Sequence, residues 1–134
     1  METQHRIFTK KEELLADLLT PVGVYSNLRD RFKNPLLLES ADFHDRSDSK
    51  SFICLEPLAG FESKGGYCEV EIGSDLAVFE FEDQKQVFAK FKSFFNAFEY
   101  DQPKDNITTA GFFGYSSFES VQYFEDLTFK SSTS

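Results

Sequence analysis

The chain has no tryptophan, one methionine and two cysteines in 134 residues, and its 14 basic residues are outnumbered by 23 acidic ones. Each shortage excludes something. Seventeen phenylalanines without a tryptophan imply a core of rings that carry no hydrogen-bonding handle. The formal net charge is −9, and the lysines and arginines are scattered singly or in pairs such as Lys10-Lys11. That leaves no basic patch to follow a phosphate backbone and argues against nucleic-acid binding. Cys54 and Cys68 fall on what read as neighbouring strands, where a disulfide is geometrically conceivable. Two free thiols in a cytosolic protein are the favoured reading. With His5 and His44 these cysteines show no metal-ligand spacing. The amino-terminal residues are polar and no long apolar run occurs. Neither a signal peptide nor a spanning helix is therefore expected, and the protein is placed in the cytoplasm with no membrane partner.

What is present points to a folded chain. Hydrophobic residues make up 40% and aromatic residues 16% of the sequence, well outside the disordered range. The length suits one domain with a real core but not two large lobes.

Taken in order, Arg6-Ile7-Phe8 is a short candidate strand. Thr9 with Glu12 forms a capping box, and Leu14, Leu15, Leu18 and Leu19 share one face of the helix it would start. Thr20-Pro21 stops that helix and begins another over about residues 21–32, with Val24, Tyr25, Leu28 and Phe32 inward. Leu36-Leu37-Leu38 reads as a strand buried on both faces, ending in the polar pair Glu39-Ser40. A three-stranded antiparallel meander is expected next. Its first strand covers about 50–56 and resumes near 60–62, and the others cover 67–72 and 76–81, with turns at Gly65-Gly66 and Gly73-Ser74-Asp75. Asp83, with Gln86 in the box position, starts the clearest helix, whose stripe is Val87, Phe88, Phe91, Phe94, Phe95 and Phe98. Residues 110–115 read as a strand hemmed by glycines, and Ser116 or Ser117 caps a last helix with Val121, Phe124 and Leu127 inward. The expected class is α+β: a largely antiparallel β-sheet with three to four packed helices. Residues 1–129 form a single domain, and residues 130–134 a disordered tail.

Catalytic signals are few. No phosphate-binding glycine loop and no nucleophile elbow occur, and the glycines of Gly111-Phe112-Phe113-Gly114 suit a strand end better than a phosphate cradle. Glu80, Glu82 and Asp83 are better explained by a solvated helix start than by a cation site. Glu39, Ser40 and Lys50 differ in kind. A carboxylate, a hydroxyl and an ammonium near one strand end would suit a zwitterionic amino acid, Glu39 taking its amino group and Lys50 or backbone amides its carboxylate. The plain alternative is an internal Glu39–Lys50 pair across adjacent strands.

Several stretches resemble one family. Thr20-Pro21-Val22 with Tyr25 and Leu28, then Leu36 to Ala41, then Lys50-Ser51-Phe52, are similar to the N-terminal region of the anthranilate synthase large subunit (component I). Gly111 to Tyr115 and Tyr123-Phe124-Glu125-Asp126 are similar to a later part of that region. The resemblance implies a fragment of the chorismate-utilising enzyme fold and the regulatory N-terminal domain of a larger lyase. The family converts chorismate to anthranilate in tryptophan biosynthesis, with Mg2+ and with ammonia delivered by a glutamine amidotransferase subunit. Tryptophan feeds back on it from an allosteric site. Carried over by motif, Glu39, Ser40, Ala41 and Lys50 match the tryptophan-binding element, and Pro21 lines the same pocket. The family's chorismate and Mg2+ residues lie in a C-terminal region this chain does not contain. The resemblance therefore implies no catalytic residue, metal or cofactor here, no turnover by these 134 residues alone, and self-association through uncovered apolar surface. The para-aminobenzoate (aminodeoxychorismate) synthase component I shares this architecture and is the nearest alternative, and a non-catalytic interaction module is the third.

Overall fold

Four stretches of the sequence signal a helix start and two of them become α-helices, and the reason the one at Thr9 does not is a matter of packing. The computed structural model describes residues 4–39, 49–100 and 111–123. In chain order these form β1 (His5–Ile7), α1 (Pro21–Leu28), β2 (Leu36–Glu39), β3 (Ser51–Cys54), β4 (Ala59–Lys64), β5 (Tyr67–Ile72), β6 (Asp75–Glu80), α2 (Gln84–Asn96), β7 (Phe98–Tyr100) and a 3-10 helix (Phe118–Tyr123). The class is mixed α+β, with two antiparallel sheets and one short parallel strand pair among the described residues. Two α-helices stand among the described residues in place of the three or four expected. The chain divides into two compact units, one of Glu12–Leu58 and one of Met1–Lys11 with Ala59–Ser134.

In the second of these units the sheet follows from alternation and turn chemistry. β4, β5 and β6 form an antiparallel meander in that order. Gly65 and Gly66 (φ 45° and 109°) and Gly73 (φ 61°) occupy left-handed backbone at its two turns, where a side chain would be strained. Register sets Phe61, Val70 and Ala77 side by side, and next to them Ser63, Cys68 and Phe79, on one face. The opposite face carries Glu62, Glu69 and Val78.

Helix α2 packs on the first face. Asp83 is its N-cap, accepting a hydrogen bond from the Lys85 amide at 2.9 Å. The Gln86 side chain accepts from the Glu82 amide at 3.3 Å, one residue before the position a capping box prescribes. Val87, Phe94 and the Cys68 thiol are the buried residues of the core, Cys68 only 1% exposed. Phe94 sits at the centre of a ring cluster, 5.7 Å from Phe61, 5.3 Å from Phe98 and 5.5 Å from Phe112 between centroids. Phe98 belongs to β7 rather than to the helix stripe. That strand pairs in parallel with β1, in the register His5–Phe98, Arg6–Glu99 and Ile7–Tyr100. The sequence expected a strand near residues 6–8 but no partner for it.

Over its described part, residues 111–115, the strand expected at 110–115 is not formed. Residues 111–117 have no regular structure, because Phe112 serves as a packing ring 4.6 Å from Phe95 and no sheet edge is paired with this backbone. The last helix is a 3-10 turn over the described residues. The Ser120 hydroxyl and amide both donate to the Ser117 carbonyl, at 2.6 and 3.1 Å, a local competition that disfavours the α form. The burial of the Val121 side chain, together with Phe124, Leu127 and the 130–134 tail, lies outside what the structure describes.

The unit of Glu12–Leu58 is a helix on a two-stranded ribbon. The helix expected over 9–19 is absent: residues 8–16 lack regular structure and 17–18 form a turn, with one amide–carbonyl bond from Leu19 to Ala16 at 3.1 Å. Leu14, Leu15, Leu18 and Leu19 are exposed, Leu18 at 93%. A helix of this length has a costly nucleus and is marginal unless its apolar face packs on something. At Thr20-Pro21 the expectation holds. Thr20 accepts from the Gly23 amide at 3.1 Å and Pro21 occupies the first helical turn. Helix α1 ends at Leu28 rather than near Phe32, with Val24, Tyr25 and Leu28 half-buried and Phe32 exposed.

Candidate functional site

The predicted site residues lie around the β2–β3 ribbon, so its construction comes first. β2 and β3 pair antiparallel in the register Leu36–Cys54, Leu37–Ile53, Leu38–Phe52 and Glu39–Ser51. The run expected over 50–56 is therefore not the first strand of the meander but the partner of the leucine strand. The three leucines are half-buried rather than fully buried, because a two-stranded ribbon with one short helix beside it cannot cover both faces. The far end of the ribbon is tied at its neck. The Lys33 amide donates to the Glu56 carboxylate at 3.0 Å, and the Glu56 amide donates back to the Lys33 carbonyl at 3.0 Å. Asn34 (φ 48°) and Glu56 (φ 51°) hold left-handed backbone there, a conformation that side chains adopt only where the surroundings fix it.

At the open end the register sets Glu39 opposite Ser51, with Lys50 one residue beyond. Glu39 and Lys50 thus stand at the same end of the ribbon, both exposed. Among the described residues no ion pair joins them. In the register Glu39 stands opposite Ser51, and Lys50 lies one residue outside β3. Ser40 and Ala41 lie outside the described residues. Pro21 is exposed at the start of α1, the helix that packs on β2 and β3. Both cysteines are free. Burial pushes the Cys54 thiol above its ordinary value.

Two opposite charges at one end of a pleated ribbon can receive the ammonium and the carboxylate of an amino acid. Among the described residues, no group of three or more His, Cys, Asp or Glu side chains could hold a metal ion. No described helix is long and apolar enough to cross a membrane. Asp83, part of the acidic run at 80–83, is taken up in capping α2.

The sequence did not signal a shallow depression of about 620 Å3 in the other unit, between α2 and the meander. Cys68, Phe79, Phe81, Gln86, Lys90 and Ser93 are among its lining residues. Lys90 covers part of it, its ammonium 4.1 Å from the Phe79 ring centroid. Only the alternation of β6 against the polar side of α2 could have located it. Comparison of the chain with family models, with curated proteins and with solved structures returns no match in any of the three.

Proposed function

We propose that this chain is the regulatory N-terminal part of an anthranilate synthase large subunit, carrying half of the site through which tryptophan inhibits the enzyme. The reading comes from the sequence resemblance, and one structural observation supports it. The Glu39–Ser51 register brings Glu39 and Lys50 to the same open end of the ribbon, and in sequence Glu39 is followed by Ser40 and Ala41, which complete the motif. Glu39 would accept from the ligand's ammonium and Lys50 would meet its carboxylate, while Pro21 and α1 supply an apolar wall. Tryptophan would act by favouring one arrangement of this region in the cytoplasmic enzyme, for which about 1–3 kcal/mol of coupling is enough. Chorismate, Mg2+ and the ammonia-delivering amidotransferase would be handled by the rest of that enzyme, and this chain alone forms no anthranilate.

The chain contains no tryptophan, so free L-tryptophan can be followed by its own emission without background. Backbone NMR of the 134-residue protein titrated with L-tryptophan to millimolar concentration is expected to shift the Leu38, Glu39 and Lys50 amides. Tryptamine, lacking the carboxylate, is expected to leave Lys50 unmoved. A spectrum unchanged by L-tryptophan would remove the site from this chain. In a large subunit carrying this region, replacing Ser40 by a bulky residue should relieve tryptophan inhibition and spare activity. Inhibition that persists in that variant contradicts the assignment. A second reading, an interaction module, is favoured by the exposed leucines of residues 14–19.

A further inference from the structure

The meander has two outer edges, and they differ in kind. Among the described residues β4 and β6 each pair with β5 alone. Pro57 stands two residues before β4, and the Glu62–Lys64 ion pair (2.8 Å) lies on that strand, both features that keep a sheet edge from pairing with another chain. β6 has no such protection between its ends. Leu76-Ala77-Val78-Phe79 holds no charge or proline, its register with β5 runs without a bulge, and Leu76 and Val78 are 64% and 55% exposed. The ladder also fixes which backbone groups are open. The Phe81 amide donates to the Gly66 carbonyl at 3.0 Å, so by alternation Phe79, Ala77 and Asp75 turn their N–H and C=O groups toward β5. Leu76, Val78 and Glu80 turn theirs outward. The depression beside α2 runs along this edge, since residues 78–81 all line it. A row of outward amides and carbonyls is satisfied in register by another extended strand.

We propose that this strand is β6 of a second copy of the chain, running antiparallel about a two-fold axis at Ala77. In that register Leu76 stands opposite Val78 of the other copy. The axis repeats the pair, so the exposed large apolar side chains of both strands cover one another. On the face that carries α2, Asp75 comes opposite Phe79 of the other copy. The Lys90 ammonium stands 4.1 Å from the Phe79 ring centroid, so Asp75 arrives beside a cation. Among the described residues no carboxylate is paired with Lys90 and no cation with Asp75. The other charges on these strands raise no conflict. Glu80 meets Ser74, and Glu69 and Glu71 stand one strand back, beside Val78 and Leu76. The neighbouring registers fit worse. Centred on Val78, the strands set Leu76 against Glu80; centred on Leu76, they set Val78 against Ser74, and both move Asp75 away from Phe79. The result is a six-stranded sheet whose two outer strands are the protected β4. Glu39 and Lys50 take no part in it, so it stands apart from the tryptophan reading.

Sedimentation equilibrium of the full 134-residue chain, with urea unfolding to check the fold of each variant, tests the pairing. The expected result is a reversible monomer–dimer equilibrium. Val78→Pro removes an outward N–H and leaves the ladder to β5 intact, so it should abolish the dimer while the monomer stays folded. Should the proline unfold the meander, Val78→Lys, at a side chain already 55% exposed, is expected to abolish the dimer through charge. Asp75→Lys and Lys90→Asp should each weaken it on the order of fivefold, the first even though it removes two units of repulsion per copy. The two together keep the net charge at −9 and should restore the dimer. Register is read by cross-linking in a Cys54→Ala background. Ala77 faces its own copy at a non-hydrogen-bonded position, where Cα atoms stand about 4.5 Å apart, so oxidised Ala77→Cys should form an interchain disulfide. Val78→Cys, offset from its own copy, should not. A chain that stays monomeric up to about 1 mM overturns the proposal. So does a dimer indifferent to both Val78 changes, or one cross-linked by Val78→Cys and not by Ala77→Cys.

Discussion

Residues 9–19 and residues 83–95 carry nearly the same message and meet different fates. Each begins with a capping residue, Thr9 or Asp83, followed three positions later by Glu12 or Gln86. Each then presents an apolar stripe at helical spacing. The second becomes α2, with its cap made and Val87 and Phe94 only 3% and 6% exposed. The first remains without regular structure, and its leucines face solvent. Caps and periodicity contribute about 1 kcal/mol apiece or less, whereas burying one large side chain contributes roughly 1.5–3 kcal/mol. The meander gives α2 a face to cover, and the leucine segment has none within reach of its own sequence neighbours. Local signals nominate a helix, and burial decides it.

Substitutions should widen that contrast. Phe94→Ala opens a cavity among Phe61, Phe98 and Phe112 and is expected to cost about 3–5 kcal/mol in urea unfolding. Leu15→Ala, measured at concentrations low enough to keep the protein monomeric, should change stability by no more than about 0.5 kcal/mol. Equal costs at the two positions would mean that the leucine segment is packed after all. The caps give a smaller version of the same comparison. Asp83→Ala and Thr20→Ala should each cost about 1 kcal/mol, and Thr9→Ala nothing measurable. A loss at Thr9 matching that at Asp83 would place a helix where none is described.

The smallest effect concerns pH. Burial raises the Cys54 thiol above its ordinary value of 9.0, so the folded state holds this proton more tightly than the unfolded state. The resulting stability is complete below about pH 9 and is lost as pH rises through the folded value. Cys54→Ala should flatten the alkaline fall in unfolding free energy slightly, and an unchanged slope would dismiss the effect. Lys64 follows the same sign, its ammonium raised chiefly by the hydrogen bond to Glu62 at 2.8 Å. Its window lies higher, beginning near the ordinary lysine value of 10.5.

Much of the fold was legible where pairing is local. The strand over Tyr67–Ile72 was read to the residue from its alternation, and the turns at Gly65-Gly66 and Gly73 followed from glycine's freedom. The reading failed where the partner is distant. The alternation of Ser51–Cys54 does not itself choose Leu36–Glu39 over the meander, and only the alternative of a Glu39–Lys50 pair across adjacent strands pointed to that partner. Phe98 continues a helical stripe in sequence but closes a parallel pair with His5, more than ninety positions earlier. Parallel pairing leaves no turn signal, and the residue types of His5–Ile7 and Phe98–Tyr100 fit helix or strand alike. Of the candidate site, residue chemistry suggested Glu39 and Lys50 together; register places them at one end of the ribbon without an ion pair, because Lys50 lies beyond the last paired residue, Ser51.

The neck of that ribbon has a bearing on how the chain tolerates change in length. Because the Lys33 and Glu56 backbones are bonded to each other 23 positions apart, the excursion between them begins and ends at one point. Residues added or removed between Glu39 and Lys50 alter only the far end of a closed detour. The entropic cost of such a change grows slowly, by about 0.6 kcal/mol for each doubling of loop length. The rest of the unit keeps its spacing. A peptide tag, or a longer ligand-binding loop, can therefore be inserted at that end without moving α1 or Glu56, while a one-residue slip at the neck would break both bonds and turn every leucine to the opposite face.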